Sequence, residues 1–449
     1  MKKIFVIVFF LTFLCQINAQ FYAGVARLKI TPDSAIWLAG YAARNKPSDG
    51  VLTDLWAKAL VIKEKNDIRI VIVTIDILGL PHKLSEDIAK RVIEKYGIDR
   101  SRLLLNTSHT HSAPVIWPSL LGMYDLSTGD LKALIRYSNK LEDNIAEVVD
   151  MAVLDLRPSN LSVAHGSADF AINRRQATEK GVVIGVNNSG PVDNYVPVLK
   201  VEDTDGKIRA LLFGYACHNT TLDIYQVNGD YAGFAQAEIE KANPGVTAMF
   251  IAGCGADQNP NPRRTIDLAI QHGKTLADAV QKTLSGEFLP VRPPVKTYFT
   301  TAKLEFAPVN PGKFKEDILG NNRYTRNRAS FILEAMDKGY DVSTLNYPVQ
   351  AVRFSNDFTI LALGGEVVVD YSLKTKNRYP GENLFVAGYS NEVQCYIPSV
   401  RVLKEGGYEP ETSMIYYGLP GPFAENVEDR IFQAIDLVMK KTGAGRSRK

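Results

Sequence analysis

Two histidines stand two apart in Asn106-Thr-Ser-His-Thr-His-Ser-Ala-Pro114, directly after the apolar run Leu103-Leu-Leu105. In extended backbone their imidazoles would point to one side, and imidazole is both a frequent metal ligand and an acid or base near neutral pH. Taken alone, the pair His109 and His111 fits polar loop residues bonded to backbone equally well. His218 strengthens the chemical reading, because it follows a second apolar run, Leu211-Leu-Phe-Gly-Tyr-Ala-Cys217. Of the six histidines in the chain, three thus sit at the ends of strand-like runs, where ligands gather in parallel α/β sheets. His82, His165 and His272 lie in a turn, beside a glycine and on a helix, and read as structural. Two imidazoles and a carboxylate form the ligand set of many hydrolytic zinc centres, whose open position activates a water. Glu366 after Leu361-Ala-Leu-Gly-Gly is the best-placed carboxylate, since paired glycines let backbone turn tightly against an ion. Asp76 after Ile75 and Asp257 in Gly253-Cys-Gly-Ala-Asp257 compete with it, or orient a histidine from behind. Cys217, Cys254 and Cys395 show no Cys-x-x-Cys spacing and read as buried free thiols.

The elements that must position these groups alternate along the chain. Ile68 to Ile75 (IRIVIVTI) is a continuous β-branched run, the pattern of a strand buried on both faces. Ser85 can cap a following helix in which Ile88, Val92 and Tyr96 share a face before Gly97 stops it, and Leu103 to Leu105 is the next strand. The opening third therefore reads as a βαβ unit with a parallel pair. Long amphipathic helices are predicted over Leu131 to Leu156, Thr265 to Leu284 and Glu425 to Lys440. Strands are predicted at Val196–Val201, Ile208–Ala216, Ala248–Ala252, Val295–Leu304, Phe358–Leu363 and Asn383–Val386. The prolines at 290, 293, 294, 308 and 311 lie between strand signals and read as a loop within one fold. The expectation is an α/β chain of mixed β-sheets flanked by helices, one large domain over residues 20–440.

Composition agrees with a folded enzyme and excludes several classes. The chain has 449 residues, 45% of them hydrophobic and 22% charged, which excludes disorder and a fibrous repeat. Lys2-Lys3, the apolar run Ile4 to Cys15, and Ile17-Asn18-Ala19 before Gln20 read as a secretory signal peptide over 1–19, which implies a secreted or periplasmic protein. The formal charge is +3. Lys440, Lys441, Arg446, Arg448 and Lys449 hold five positive charges at the end, the last four of them within a basic disordered tail expected over 441–449, so the positive charge is a basic end and not a basic face for nucleic acid. The three cysteines remaining after cleavage are too few for a disulfide framework.

With these pieces assembled, the sequence resembles the neutral/alkaline, non-lysosomal ceramidase family, in order along nearly the whole mature chain. The resemblance is carried by Leu38-Ala-Gly-Tyr41, Gly50-Val-Leu-Thr-Asp-Leu-Trp-Ala-Lys-Ala-Leu60, Ser108-His-Thr-His-Ser-Ala-Pro114, Ile172-Asn-Arg174, Gly190-Pro-Val-Asp193 and Ala216-Cys-His218. It continues through Gly255-Ala-Asp-Gln-Asn-Pro-Asn261, Gly364-Gly-Glu366, Ser390-Asn391, Tyr396 and Tyr408-Glu409. The resemblance implies a Zn2+ ion held by His109, His218, Glu366 and Tyr396. It implies that His111 faces the substrate, that Tyr408 contacts the reacting carbonyl, and that Arg174 binds substrate. Two departures accompany it. Asn259 stands where the family carries a serine, and an amide cannot act as an alkoxide nucleophile. The chain also ends soon after the Glu425–Lys440 helix, where large family members continue into a β-sandwich domain.

The reading that results is a secreted zinc amidohydrolase that cleaves a ceramide-like N-acyl amide by metal-activated water. Its partners would be a small-molecule or lipid amide and, at most, a membrane surface contacted peripherally. His111 and Tyr408 would stabilise the oxyanion, with His111 also able to protonate the leaving nitrogen, and Arg174 would hold a polar part of the substrate. Asp76 and Asp257 stay open as the general base. The alternatives are a zinc hydrolase of another amide or ester, such as an acylated sugar or envelope component, and a non-catalytic family member that only binds.

Overall fold

The β-branched run becomes the strand Asp67–Ile75, which pairs in parallel with Leu103–Thr107 (Val71 opposite Leu103) across the helix His82–Tyr96. Its continuous hydrophobicity is explained by burial on both faces. Val71, Val73 and Ile75 pack toward the helices His82–Tyr96 and Thr128–Leu154, whereas Ile70 and Ile72 enter a second core. That second core lies between two sheets. The larger is nine-stranded; its path runs Thr247–Ala252, Ile208–Tyr215, Tyr195–Asp203, Arg157–Ser167, Phe21–Lys29, Trp56–Glu64, Asp67–Ile75 and Leu103–Thr107, with Leu289–Val291 added beside Arg157–Ser167. The smaller runs Val295–Glu305, Thr344–Phe354, Phe358–Leu363 and Leu384–Ala387. Along Phe358–Leu363, Ile360 and Ala362 meet the first sheet, while Leu361 and Leu363 face the helix Val427–Thr442. The result is an α/β domain of four layers, helix, sheet, sheet, helix.

The computed structural model describes residues 21–445 apart from Asn66; the leader expected at 1–19 and Arg446, Arg448 and Lys449 lie outside the described residues. Among those described, no helix is long and apolar enough to cross a membrane. Several predicted boundaries move. The first helix starts at His82 rather than after Ser85, because the Ser85 hydroxyl is inside it and donates to the Asn391 carbonyl at 2.5 Å. The second starts at Thr128, where Ser127 and Asp130 form a capping box. The last runs to Thr442, where Gly443 at φ +94° ends it. Lys440 and Lys441 are therefore helical, which removes 441 and 442 from the tail expected there. The proline-rich segment is not one loop: Pro293 and Pro294 join Leu289–Val291 of the first sheet to Val295–Glu305 of the second, and Pro308 and Pro311 follow that strand.

Candidate metal centre and active site

Four strands end at one rim. Leu103–Thr107 leads to His109, Ile208–Tyr215 to His218, Thr247–Ala252 to the Gly253–Asp257 loop, and Phe358–Leu363 to Glu366. Bridges Asn106 to Ser390 and Gly253 to Ala387 tie the ends of the two sheets together there. His109 and His111 converge by a route the sequence did not suggest. The strand stops at Thr107, and His109 takes a left-handed backbone, φ +60°, instead of continuing an extended alternation. Its nitrogen donates to the Ile77 carbonyl at 3.0 Å, and its ring packs 4.4 Å from that of Tyr389.

The donor set could hold a cation. His109 Nδ1 lies 2.7 Å from the Leu78 carbonyl and His218 Nδ1 3.0 Å from the Gly255 carbonyl. A carbonyl only accepts, so each Nδ1 carries the ring proton and each Nε2 presents a bare lone pair. Those two Nε2 atoms are nevertheless 3.2 Å apart, and Glu366 Oε2 sits 3.0 Å from one and 3.2 Å from the other, buried and without a hydrogen-bond donor of good geometry. Three electron-rich atoms pointed at one another repel unless a cation lies among them. The spacing fits, since ligands at about 2.0–2.1 Å around a tetrahedral zinc stand roughly 3.3 Å apart. Burial alone would raise the Glu366 carboxyl, and only positive charge held between it and the two imidazoles, a proton or a metal ion, keeps it well below its usual range as a carboxylate. His218 is pushed down to about 4 by burial and by Arg174, so it is neutral.

Tyr396 joins this set through backbone register. Glu366–Val367 and Tyr396–Ile397 form a two-stranded parallel pair with Glu366 opposite Tyr396. The Tyr396 hydroxyl is 3.3 Å from His218 Nε2, and Arg174 Nη2 donates to it at 3.1 Å. Arg174 is thus engaged with the protein: its Nε donates to Glu409 at 2.8 Å, and its Nη1 has only the longer contacts, 3.4 Å to Asn259 Oδ1 and 3.4 Å to His218 Nδ1. Tyr408 stands beside it, ring 5.4 Å from that of Tyr396, half-buried, and burial raises its hydroxyl so that it remains a proton donor.

His111 differs from the two pinned histidines. Its Nε2 is 3.2 Å from His109 Nε2, inside the cluster that the three imidazoles form, but its buried Nδ1 has no hydrogen-bond partner. Burial and the neighbouring imidazoles push it well below its ordinary value. With no carbonyl fixing the tautomer, its proton can sit on either nitrogen. Gly40 permits this placement: at φ +96°, a Cβ there would lie 2.3 Å from His111 Nδ1.

Neither aspartate orients a histidine. The groups orienting His109 and His218 are backbone carbonyls, because the strand ends bring Leu78 and Gly255 closer than any carboxylate. Asp76 accepts from the Trp56 amide and Gln236, and Asp257 from the Val369 amide and Asn173. Both brace loops. Cys217, Cys254 and Cys395 are buried and unpaired, and burial keeps them as thiols. Sequence reasoning missed Tyr417, whose hydroxyl donates to Glu366 Oε1 and leaves Oε2 alone facing the imidazoles. The one signal it offered is Gly418, which ends its four-residue helix in a left-handed turn.

The model of the family described as neutral/alkaline non-lysosomal ceramidase, N-terminal, matches residues 21–263. A neutral ceramidase of Drosophila melanogaster is 25% identical over 255 residues, 54% of this chain and 35% of that protein. One of Mycobacterium tuberculosis is 23% identical over 230 residues, 48% of this chain and 34% of that protein. The match thus spans about a third of these relatives' own length. The crystal structure of neutral ceramidase from Pseudomonas aeruginosa superposes with a TM-score of 0.72, covering 96% of this chain and 77% of that one at 18% identity.

Proposed function

The chain belongs to the neutral/alkaline non-lysosomal ceramidase family, and from that premise we propose that it is a zinc-dependent hydrolase of N-acyl amides, ceramide-like in substrate. The observation that carries the reading is the convergence of His109 Nε2, His218 Nε2 and Glu366 Oε2 with both ring protons already committed to carbonyls. These three groups and Tyr396 would hold the ion. When bound, zinc supplies a Lewis acid that polarises the scissile carbonyl and lowers the pKa of water.

The protein's own groups divide the remaining work. Tyr408 donates to the oxygen that gains charge. His111, neutral at rest, would take a proton from the attacking water and pass it to the leaving nitrogen, a relay for which its unpinned tautomer leaves a ring nitrogen open. Arg174 positions the Tyr396 oxygen and balances charge beside it, and its Nη1, held only by contacts of 3.4 Å, is the part that can turn to substrate. Asn259 sets its carbonyl oxygen toward Arg174 and Thr220 at 3.4 Å each and supplies no nucleophile. The leader-like residues 1–19 support a secreted or periplasmic location.

Fatty acid release from N-acylsphingosine, measured beside an N-acylated amino sugar, tests the reading. Turnover of the sphingolipid that disappears on chelation and returns with zinc is expected. His111→Ala should keep its zinc and lose about 10²–10³-fold in kcat. Cleavage of the amino sugar alone would move the assignment to another amide, and no cleavage of either by zinc-loaded protein would leave a binding protein.

A further inference from the structure

The rim of the site carries a positive charge that a neutral amide would not use. After Gln258–Pro260, whose Asn259 faces Arg174, the chain crosses the rim and is tied down again where the Arg264 amide donates to the Thr221 carbonyl at 2.7 Å, three residues beyond His218. Arg263 lies within this crossing. It is half-buried, and among the described residues its guanidinium has no ion pair or hydrogen bond. The carboxylates nearby are all engaged. Glu409 is held by Arg174 and Arg175, Asp223 by Arg264 at 2.9 Å, and Asp230 by the amides of Thr221, Leu222 and Tyr231.

Other cations gather on the same side. The Arg264 guanidinium stands 5.6 Å from the centre of the Tyr41 ring and that of Arg44 4.9 Å, and the Tyr41 ring is 4.9 Å from that of His111. Arg44 is turned inward, donating to the carbonyls of Ala39, His111 and Ile224, so it is committed to the fold. Burial, and then repulsion from Arg264, lowers the Arg263 guanidinium from its ordinary value, as expected for a cation lacking its partner. An unpaired, partly desolvated guanidinium gains most from an oxyanion, to which it can donate two parallel hydrogen bonds.

We propose that Arg263 recognises an oxyanion on the substrate, so that the chain acts preferentially on N-acyl amides bearing a phosphate or carboxylate rather than on neutral ceramide. The inference rests on the amide-hydrolase reading above, and its failure is separable from the failure of that reading. The test compares kcat/KM of the zinc-loaded full chain on N-hexanoylsphingosine, on its 1-phosphate and on N-hexanoylglycine. The wild type should favour one of the anionic substrates over the neutral one by about 10–100-fold, the scale of a charge-assisted pair; which of the two is preferred tells phosphate from carboxylate. Arg263→Gln should bring that ratio near one, Arg263→Lys should retain part of it, and Arg264→Gln should change it less. Preference for the neutral lipid, or a ratio unmoved by Arg263→Gln in a normally folded variant, overturns the proposal. Should nothing be hydrolysed, the amide-hydrolase reading fails, and equilibrium binding of the same three compounds decides the inference. Tighter binding of an anionic compound that is lost in Arg263→Gln supports it; equal binding overturns it.

Discussion

Replacing Glu366 with glutamine should weaken zinc binding by about 10²–10³-fold while the chain stays folded. The magnitude follows from dividing the roughly 10–16 kcal/mol of a structural zinc site over four ligands and removing one. Glutamine keeps the shape and can still accept from Tyr417, so the change isolates the negative charge aimed at His109 and His218. Tyr417→Phe should give a graded version of the same result. Without its hydroxyl the carboxylate loses the bond that holds Oε1 away from the ion, and loss of a partner behind a ligand typically weakens affinity 10–100-fold. Competition with a zinc chelator measures both. Equal affinities in wild type and Glu366→Gln would remove Glu366 from the ligand set.

The largest expected loss of stability comes from Glu409→Ala. Glu409 bridges Arg174 and Arg175, and all three side chains are at most 5% exposed. The alanine variant leaves two guanidiniums facing each other in the interior with no anion between them. Breaking such a buried network by removing one partner destabilises by about 3–5 kcal/mol, a large share of the roughly 5–15 kcal/mol available to a domain. Arg175 retains Glu405 at 3.1 Å and the Gly406 carbonyl at 2.8 Å, so the lower half of that range is expected. Denaturant unfolding of the metal-free proteins separates this effect from any change in zinc binding. A difference under about 1 kcal/mol would mean that water replaces the carboxylate.

Much of the site was legible because of where its residues fall in the chain. His109, His218 and Glu366 each follow an apolar run long enough to announce a strand, and in an α/β sheet the end of a strand is where chemistry gathers. Tyr396 was reached only by resemblance. It lies on a two-residue strand whose parallel partner contains Glu366, and so short a pair leaves no periodic pattern in sequence. Tyr417 gave no pattern either, because its role depends on a loop folding back over the rim. The stacking of the two sheets was hidden for a related reason. A strand such as Phe358–Leu363 is apolar at every position, which states that both faces are covered without saying that one cover is another sheet and the other a helix. Asp76 and Asp257 misled because a carboxylate at a strand end has the right chemistry for a ligand, whereas here both hold backbone amides.

X-ray absorption at the zinc edge of the zinc-loaded protein tests the central claim most directly. Convergence of His109, His218, Glu366 and Tyr396 on one ion predicts one zinc per chain, with a shell of nitrogen and oxygen only at about 2.0–2.2 Å and outer-shell scattering from at least two imidazoles. A folded chain that retains no zinc, or a shell containing sulfur at about 2.3 Å from one of the buried cysteines, would contradict it.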